Sequence, residues 1–260
     1  MKKDFLKIIV EQKQMELEIL KKKKPEHLLC SESQNIREIR PFYESLKNAD
    51  NINVIAEIKR ASPSKGDICL NLDPQKMARD YEKGGACAIS VLTDEKFFKG
   101  SFNDFILARK ATSLPILRKD FIISSYQVYE SYLLGADAIL LIAKILSQEQ
   151  LKDLLVLTHE LKMSALVEIN STHDFEKAVH AGARLIGINN RNLNSFDTDI
   201  TTSTRLIPLF NKDQIAVAAS GISSRKDIDR TCKAGIFNFL IGESLVKADN
   251  TITFLKSLIR

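Results

Sequence analysis

Paired cysteines are missing from this sequence, and so is any HExxH motif or comparable cluster of metal-ligand residues. Cys30, Cys69, Cys87 and Cys232 are scattered without a CxxC spacing. That excludes a zinc ribbon or a disulfide framework and fits reduced, mostly buried thiols of a cytosolic protein. His27, His159, His173 and His180 show no ligand spacing either, so no metal is expected. No apolar run reaches the ~18 residues of a membrane span, and the opening MKKDFLKIIVEQKQMELEIL is too charged for a secretory signal. A cytoplasmic protein with no membrane partner is the expectation. A glycine-rich dinucleotide turn after an early strand is absent too, which removes the main support for a doubly wound sheet.

The charge balance is mildly basic: 38 Lys and Arg against 33 Asp and Glu, a net +5, with much of the excess in the first two dozen residues. The basic residues are not interleaved with aromatics, and no zinc-finger or RRM-like signature occurs, so no nucleic-acid partner is expected. The run Lys21 to Lys24 reads as a solvated helix end whose charges complement the helix dipole.

What is present is alternation. Residues 5 to 20 place Leu6, Ile9, Val10, Leu17 and Leu20 near a 3.6 period and predict a surface helix, followed by a polar joint from Pro25 to Ser33. A further short helix is expected within IREIRPFYESLK. From Val54 onward come eight short apolar runs: VIAEIK, ACAISVLT, LPILRKD, DAILLIAK, ALVEIN, LIGINNR, IAVAAS and FNFLIGES. Helical stretches separate them, four ending in glycine as an αL cap would require. Strands alternating with helices imply βαβ units, and eight in about two hundred residues fit an α/β protein of the (β/α)8 barrel class. One such domain is expected over 1–260, with 1–50 as an N-terminal helical extension.

The stretch VIAEIKRASPSKG, Val54 to Gly66, shows where the chemistry would lie. Side chains on a strand alternate between faces, so Ile55, Glu57 and Lys59 share one face and Val54, Ala56 and Ile58 the other. In a barrel one face looks inward, and reactive groups collect at the C-terminal strand ends. The same parity turns Lys119 inward on the third strand, Glu168 on the fifth, Asn189 on the sixth and Arg191 one pleat later. Small residues after strands seven and eight, in ASGIS and IGESL, suit a phosphate cradle of backbone N–H groups. A charged lysine can protonate a carbonyl oxygen, and a carboxylate can remove a proton later. Such a mouth suits acid–base chemistry on an anionic sugar phosphate carrying a ketone.

The motifs EIKRASPSKG, VLTDEKFFKGS, PILRKDFI, LLIAKIL, LVEI, IGINNRNL and ASGI…IGESL, in this order, resemble the indole-3-glycerol-phosphate synthase family of tryptophan biosynthesis. The resemblance implies a (β/α)8 barrel whose N-terminal extension helps cover the mouth. It also implies closure of 1-(2-carboxyphenylamino)-1-deoxyribulose 5-phosphate to indole-3-glycerol phosphate with loss of carbon dioxide and water, and no cofactor. By resemblance Lys119 is the general acid. Lys59 holds substrate anions and donates in the dehydration, Glu168 accepts or relays a proton, Glu57 orients the lysines, and Asn189 holds a sugar hydroxyl or the ring nitrogen. Arg191 matches a residue near the substrate carboxylate, Ser62 one near the phosphate, and Phe98 and Phe121 the walls around the anthranilate ring. Ser220, Gly221, Gly242 and Glu243 match the phosphate cradle, the last through its backbone.

One position departs from the pattern. The family usually reads ESGI after strand seven, and here Ala219 opens ASGI, one mouth carboxylate fewer. A monomer without a fused isomerase barrel is expected. Two rivals remain: a phosphoribosylanthranilate isomerase, for which no cysteine ends a strand, and an inactive barrel kept as a binding module, which Ala219 alone favours.

Overall fold

The chain, described by a computed structural model over residues 5–47, 51–192 and 196–260, places its apolar runs in eight parallel strands. They are β1 (Asn53–Ile58), β2 (Ala88–Leu92), β3 (Ile116–Lys119), β4 (Ala138–Ile142), β5 (Ser164–Ile169), β6 (Leu185–Asn189), β7 (Ile215–Ala219) and β8 (Asn238–Ile241). Each pairs with its sequence neighbours, and β1 pairs with both β2 and β8, closing the barrel. Both faces are buried, as a parallel sheet covered by helices requires. Ile55, Leu117, Leu140, Leu166, Val217 and Leu240 fill the barrel interior. Val54, Ala56, Ile58, Ile139, Val167 and Ile186 pack outward against the helices. The (β/α)8 expectation holds, and so does the parity assigned to the first strand.

Local chemistry starts and ends the helices. Asp73, Ser101, Ser124, Ser147, Ser171, Ser224 and Asn250 each accept a hydrogen bond from a backbone N–H two or three residues on, capping the helix that follows. The four glycines expected after helices, Gly85, Gly135, Gly182 and Gly235, all have positive φ. No helix among the described residues is long and apolar enough to cross a membrane.

The extension reaches both ends of the barrel. Helix α1 (Phe5–Lys23) packs Leu6 and Ile9 against Phe97, Phe98 and Phe121 at the mouth. The Phe5 ring meets Phe97 at 5.4 Å and Phe196 at 5.1 Å, edge to face. Its period also buries a charge: Lys13 Nζ lies 2.9 Å from Asp94 and 3.1 Å from Asp120. The stretch expected as a polar joint is a helix instead, α2 (Glu26–Glu32), because Leu29 finds Leu17 and Tyr126 to pack against.

The helix expected within IREIRPFYESLK is mostly irregular, with one 3-10 turn at Glu44–Leu46. Tertiary partners take the backbone donors that a helix would use. Arg37 N donates to the Tyr132 hydroxyl and Arg40 N to Asp137. The Arg40 guanidinium donates to Leu114 O, so this segment is tied to residues that lead into β3 and β4, at the end opposite the mouth. There Phe42 and Leu46, almost wholly buried, close the barrel floor. The four cysteines are half-buried rather than buried. Residues 1–4 and 48–50 of the expected extension lie outside the described residues, as does Leu193 of IGINNRNL.

Because Phe42 fills the floor and its neighbours are held by separate hydrogen bonds, Phe42→Ala leaves a cavity that cannot collapse. Urea unfolding should show a loss of about 3–5 kcal/mol. A loss below about 1 kcal/mol would mean that the floor is not part of the folding core.

Candidate active site

The C-terminal strand ends surround a cavity of about 490 Å³. All thirteen residues singled out in the sequence line it: Glu57, Lys59, Ser62, Phe98, Lys119, Phe121, Glu168, Asn189, Arg191, Ser220, Gly221, Gly242 and Glu243. Ala219 lines it as well. Two of the charged groups expected on strands lie just past them. Lys59 follows the last residue of β1, and Arg191 sits in an isolated bridge with Thr198 beyond β6.

The charged groups are ordered in pairs. Glu57 Oε1 accepts the Lys59 ammonium at 2.7 Å, and Glu57 Oε2 is buried with no hydrogen-bond partner among the described residues. Lys119 Nζ lies 3.4 Å from Glu168 Oε2. Asn189 Nδ2 donates to the other Glu168 oxygen at 3.0 Å, and Asn189 Oδ1 accepts the Arg191 backbone N–H at 3.0 Å. The Asn189 amide is therefore engaged at both ends and fixes the Glu168 carboxylate. The Arg191 guanidinium donates to Ser64 Oγ and to Thr198 Oγ1, and lies 4.0 Å from Glu243.

Burial and charge oppose each other here, and charge wins. Burial pushes the Glu57 carboxyl up, but Lys59, Lys119 and Arg191 outweigh it and hold the group below its ordinary value. Burial likewise works against the Lys119 ammonium, yet Glu168 and Glu57 hold it above the ordinary lysine value. Lys119 is a cation across the neutral range, with a carboxylate on either side. Such a group can deliver a proton to an oxygen in the cavity. Among the described residues no three His, Cys, Asp or Glu side chains gather as a metal ion would need.

Aromatic and small residues shape the rest. The Phe98 and Phe121 rings stand 6.0 Å apart, inclined by 42°, and form one wall. Opposite, Ser220 and Gly221 both have positive φ, 67° and 78°, so the chain after β7 turns sharply. Gly242 is required by proximity, since a Cβ there would stand 2.6 Å from Glu57 Oε1. Ala219 pairs in register with Asn189 and Leu240, which puts its methyl group among the inward residues.

Sequence reasoning missed several lining residues: Ser64, Lys65, Asp120, Phe196, Thr198 and Lys247. The SPSKG loop contained the first two, and its fold as a small hairpin, Ser62 paired with Gly66, turns them to the mouth. Phe196 and Thr198 lie in a connection with no periodicity and left no signal.

The Lys119 assignment can be checked by titration. Its Nζ resonance should stay that of an ammonium beyond pH 10.5, the ordinary lysine value. Glu168→Gln should shift its titration to lower pH, because the carboxylate that favours the charged form is gone. An unchanged titration in that variant would remove Glu168 as the cause.

Residues 6–258 match the profile of a family described as indole-3-glycerol phosphate synthase. Proteins of that name from Desulfosudis oleivorans and Syntrophobacter fumaroxidans are 53% and 47% identical to the chain. The first comparison covers 98% of each protein, the second 94% of this chain and 93% of the relative. The protein of that name from Legionella pneumophila is 46% identical over 98% of both chains. Solved barrels are similar in fold alone. An N-acetylmannosamine-6-phosphate 2-epimerase from Clostridium perfringens has a TM-score of 0.61 at 15% identity, covering 81% of this chain and 93% of that one. A thiamine phosphate pyrophosphorylase from Pyrococcus furiosus has a TM-score of 0.59 at 14% identity, covering 81% and 95%. A profile match over nearly the whole barrel and relatives near half identity lead to one conclusion: the chain belongs to the indole-3-glycerol phosphate synthase family, a family of decarboxylating lyases.

Proposed function

We propose that this protein closes 1-(2-carboxyphenylamino)-1-deoxyribulose 5-phosphate to indole-3-glycerol phosphate by lysine and glutamate acid–base catalysis, as a cytoplasmic monomer and without a cofactor. The observation that carries the reading is the Lys119 ammonium, held charged between Glu168 and Glu57 at the end of β3 and open to the cavity. Closure needs a proton on the ketone oxygen while the ring carbon bearing the carboxylate attacks the ketone carbon. Lys119 supplies that proton. Loss of carbon dioxide then restores the aromatic ring. In the second half the new hydroxyl leaves as water, with Lys59 donating, and a proton passes from carbon to Glu168 as the double bond forms.

The remaining residues position the substrate. Phe98 and Phe121 flank the aromatic ring. The phosphate lies between the loops after β7 and β8, against backbone groups of Ser220, Gly221, Gly242 and Glu243, with Ser62 beside it. The charges around Glu243 support this, since Lys247, Lys65 and Lys59 all act on its carboxyl and surround that side of the mouth with cations. Arg191 binds the substrate carboxylate, and Glu57 orients the lysines.

Mixing the purified protein with the substrate and following indole fluorescence tests the activity itself. Removing a general acid costs ~10²–10⁴ in rate. Lys119→Met should therefore lose turnover on that scale while still binding a substrate analogue, and near-normal kcat would reject the assignment. Ala219→Glu should change kcat/KM by less than about tenfold, ~1.4 kcal/mol, because a further carboxylate tunes charges that Glu57 and Glu168 already balance. Glu168→Gln should cost far more. An inert parent switched on by Ala219→Glu would favour the binding-module reading.

Gly242→Ala offers a separate check on Glu57. The added methyl group must displace the carboxylate it would meet at 2.6 Å, and a shift of this kind can cost about 10²-fold in rate. Parental kinetics in this variant would show that the Glu57 position is not critical.

A further inference from the structure

We propose that Lys13 is a positioning residue for the reaction at the mouth: from helix α1 it clamps the turns that follow β2 and β3, which bear the aromatic walls and directly adjoin Lys119. Its side chain is buried, and its ammonium lies 2.9 Å from Asp94 Oδ2 and 3.1 Å from Asp120 Oδ1. Glu16, on the same helix, lies 3.1 Å away.

Asp120 lines the cavity, and Asp94 reaches it through the backbone of Phe98. Asp94 Oδ1 accepts from the Phe97 and Phe98 backbone N–H groups at 2.7 and 3.2 Å, capping the short helix α3 (Glu95–Phe98) that bears the Phe98 wall. Asp120 is the residue after Lys119, and its Oδ1 accepts the Phe121 N–H at 2.8 Å. Its Oδ2 accepts from Thr93 Oγ1 at 2.6 Å and from Arg118 Nη2 at 3.1 Å. Thr93 N in turn donates to Lys119 O at 3.2 Å. One ammonium thus ties α1 to the turns after β2 and β3, and through them to Phe98, Phe121 and the Lys119 backbone.

Attachment of the helix does not require this charge. Phe5, Leu6, Ile9 and Leu17 already hold α1 through apolar contacts. An apolar side chain of similar size would anchor the helix at lower desolvation cost, whereas a buried ion cluster fixes geometry. Asp94 has no other ion pair among the described residues, so losing the ammonium leaves a buried carboxylate without a counter-charge, held only by the two N–H groups it caps.

The inference rests on the ring-closing reading, and the parent's own turnover, measured alongside, tests that reading separately. Kinetics of Lys13→Met, Lys13→Arg, Asp94→Asn and the Lys13→Met/Asp94→Asn pair should be measured at a temperature where each variant keeps the parental circular-dichroism spectrum. Lys13→Met should lower kcat at least about tenfold with KM changed less than about threefold, the signature of lost alignment rather than lost binding. Lys13→Arg should recover most of the rate. The double variant should be scarcely slower than the slower single one, because both changes break one clamp. Parental kcat in Lys13→Met, or a rise in KM alone, would reduce α1 to a cover and overturn the proposal. If Lys13→Met does not fold, Asp94→Asn decides, since asparagine can keep its oxygen on the Phe97 and Phe98 N–H groups only by turning an NH2 donor, which cannot accept from the ammonium, toward Lys13. Parental kcat there would overturn the proposal equally.

Discussion

Taking an ammonium out of water costs several kcal/mol unless carboxylates replace the lost solvation, and this chain meets that requirement twice at one strand end. Lys119 is flanked by Glu168 and Glu57, and the neighbouring Asp120 receives Lys13 from the covering helix. Both lysines are held above the ordinary lysine value because burial, which works against their charge, is outweighed by the acids around them. Asp120 is the mirror case, a buried carboxyl pulled down to about 2 by Arg118 and Lys13. The mouth is thus a lattice of compensated charges. Each group's position is set by its counter-ion as much as by its own rotamer.

That lattice also explains how a barrel strand end becomes a tuned acid. Asn189 holds one oxygen of Glu168 and leaves the other toward Lys119. At Gly242, just after β8, any Cβ would have to displace the Glu57 carboxylate, whose Oε1 it would meet at 2.6 Å. These contacts are made by uncharged groups, yet they decide where charge sits. Ala219 belongs to the same layer and adds a methyl group there, while Glu57 and Glu168 stand against Lys59 and Lys119.

The extension serves both ends of the barrel. Phe42 and Leu46 close the floor, and Arg40 binds backbone carbonyl and carboxylate groups just ahead of the strands. Across the mouth, Phe5 touches aromatic rings from two different strand-to-helix connections, Phe97 in α3 after β2 and Phe196 after β6. A segment with none of its described residues on the cavity wall still pairs Lys13 with the lining residue Asp120, and so bears on the charges there from outside.

Much of this was legible in the chain itself, for a physical reason. A strand has a period of two, so the inward face of VIAEIK or LPILRKD follows from counting once the barrel is assumed, and Glu57, Lys119, Glu168 and Asn189 fall to the mouth by parity alone. Helix starts were equally local, since Ser101, Ser147 or Ser224 caps a backbone group only three residues away. What tertiary structure decided is whatever depends on partners distant in sequence. Leu29 became helical because Leu17 and Tyr126 cover it, and residues 36–41 did not because Tyr132 and Asp137 take their backbone donors. Lys13, read along α1, looks like one more solvated lysine of a basic helix. Only the folded barrel brings Asp94 and Asp120 to it across some eighty to a hundred residues, and no periodicity encodes a contact of that range.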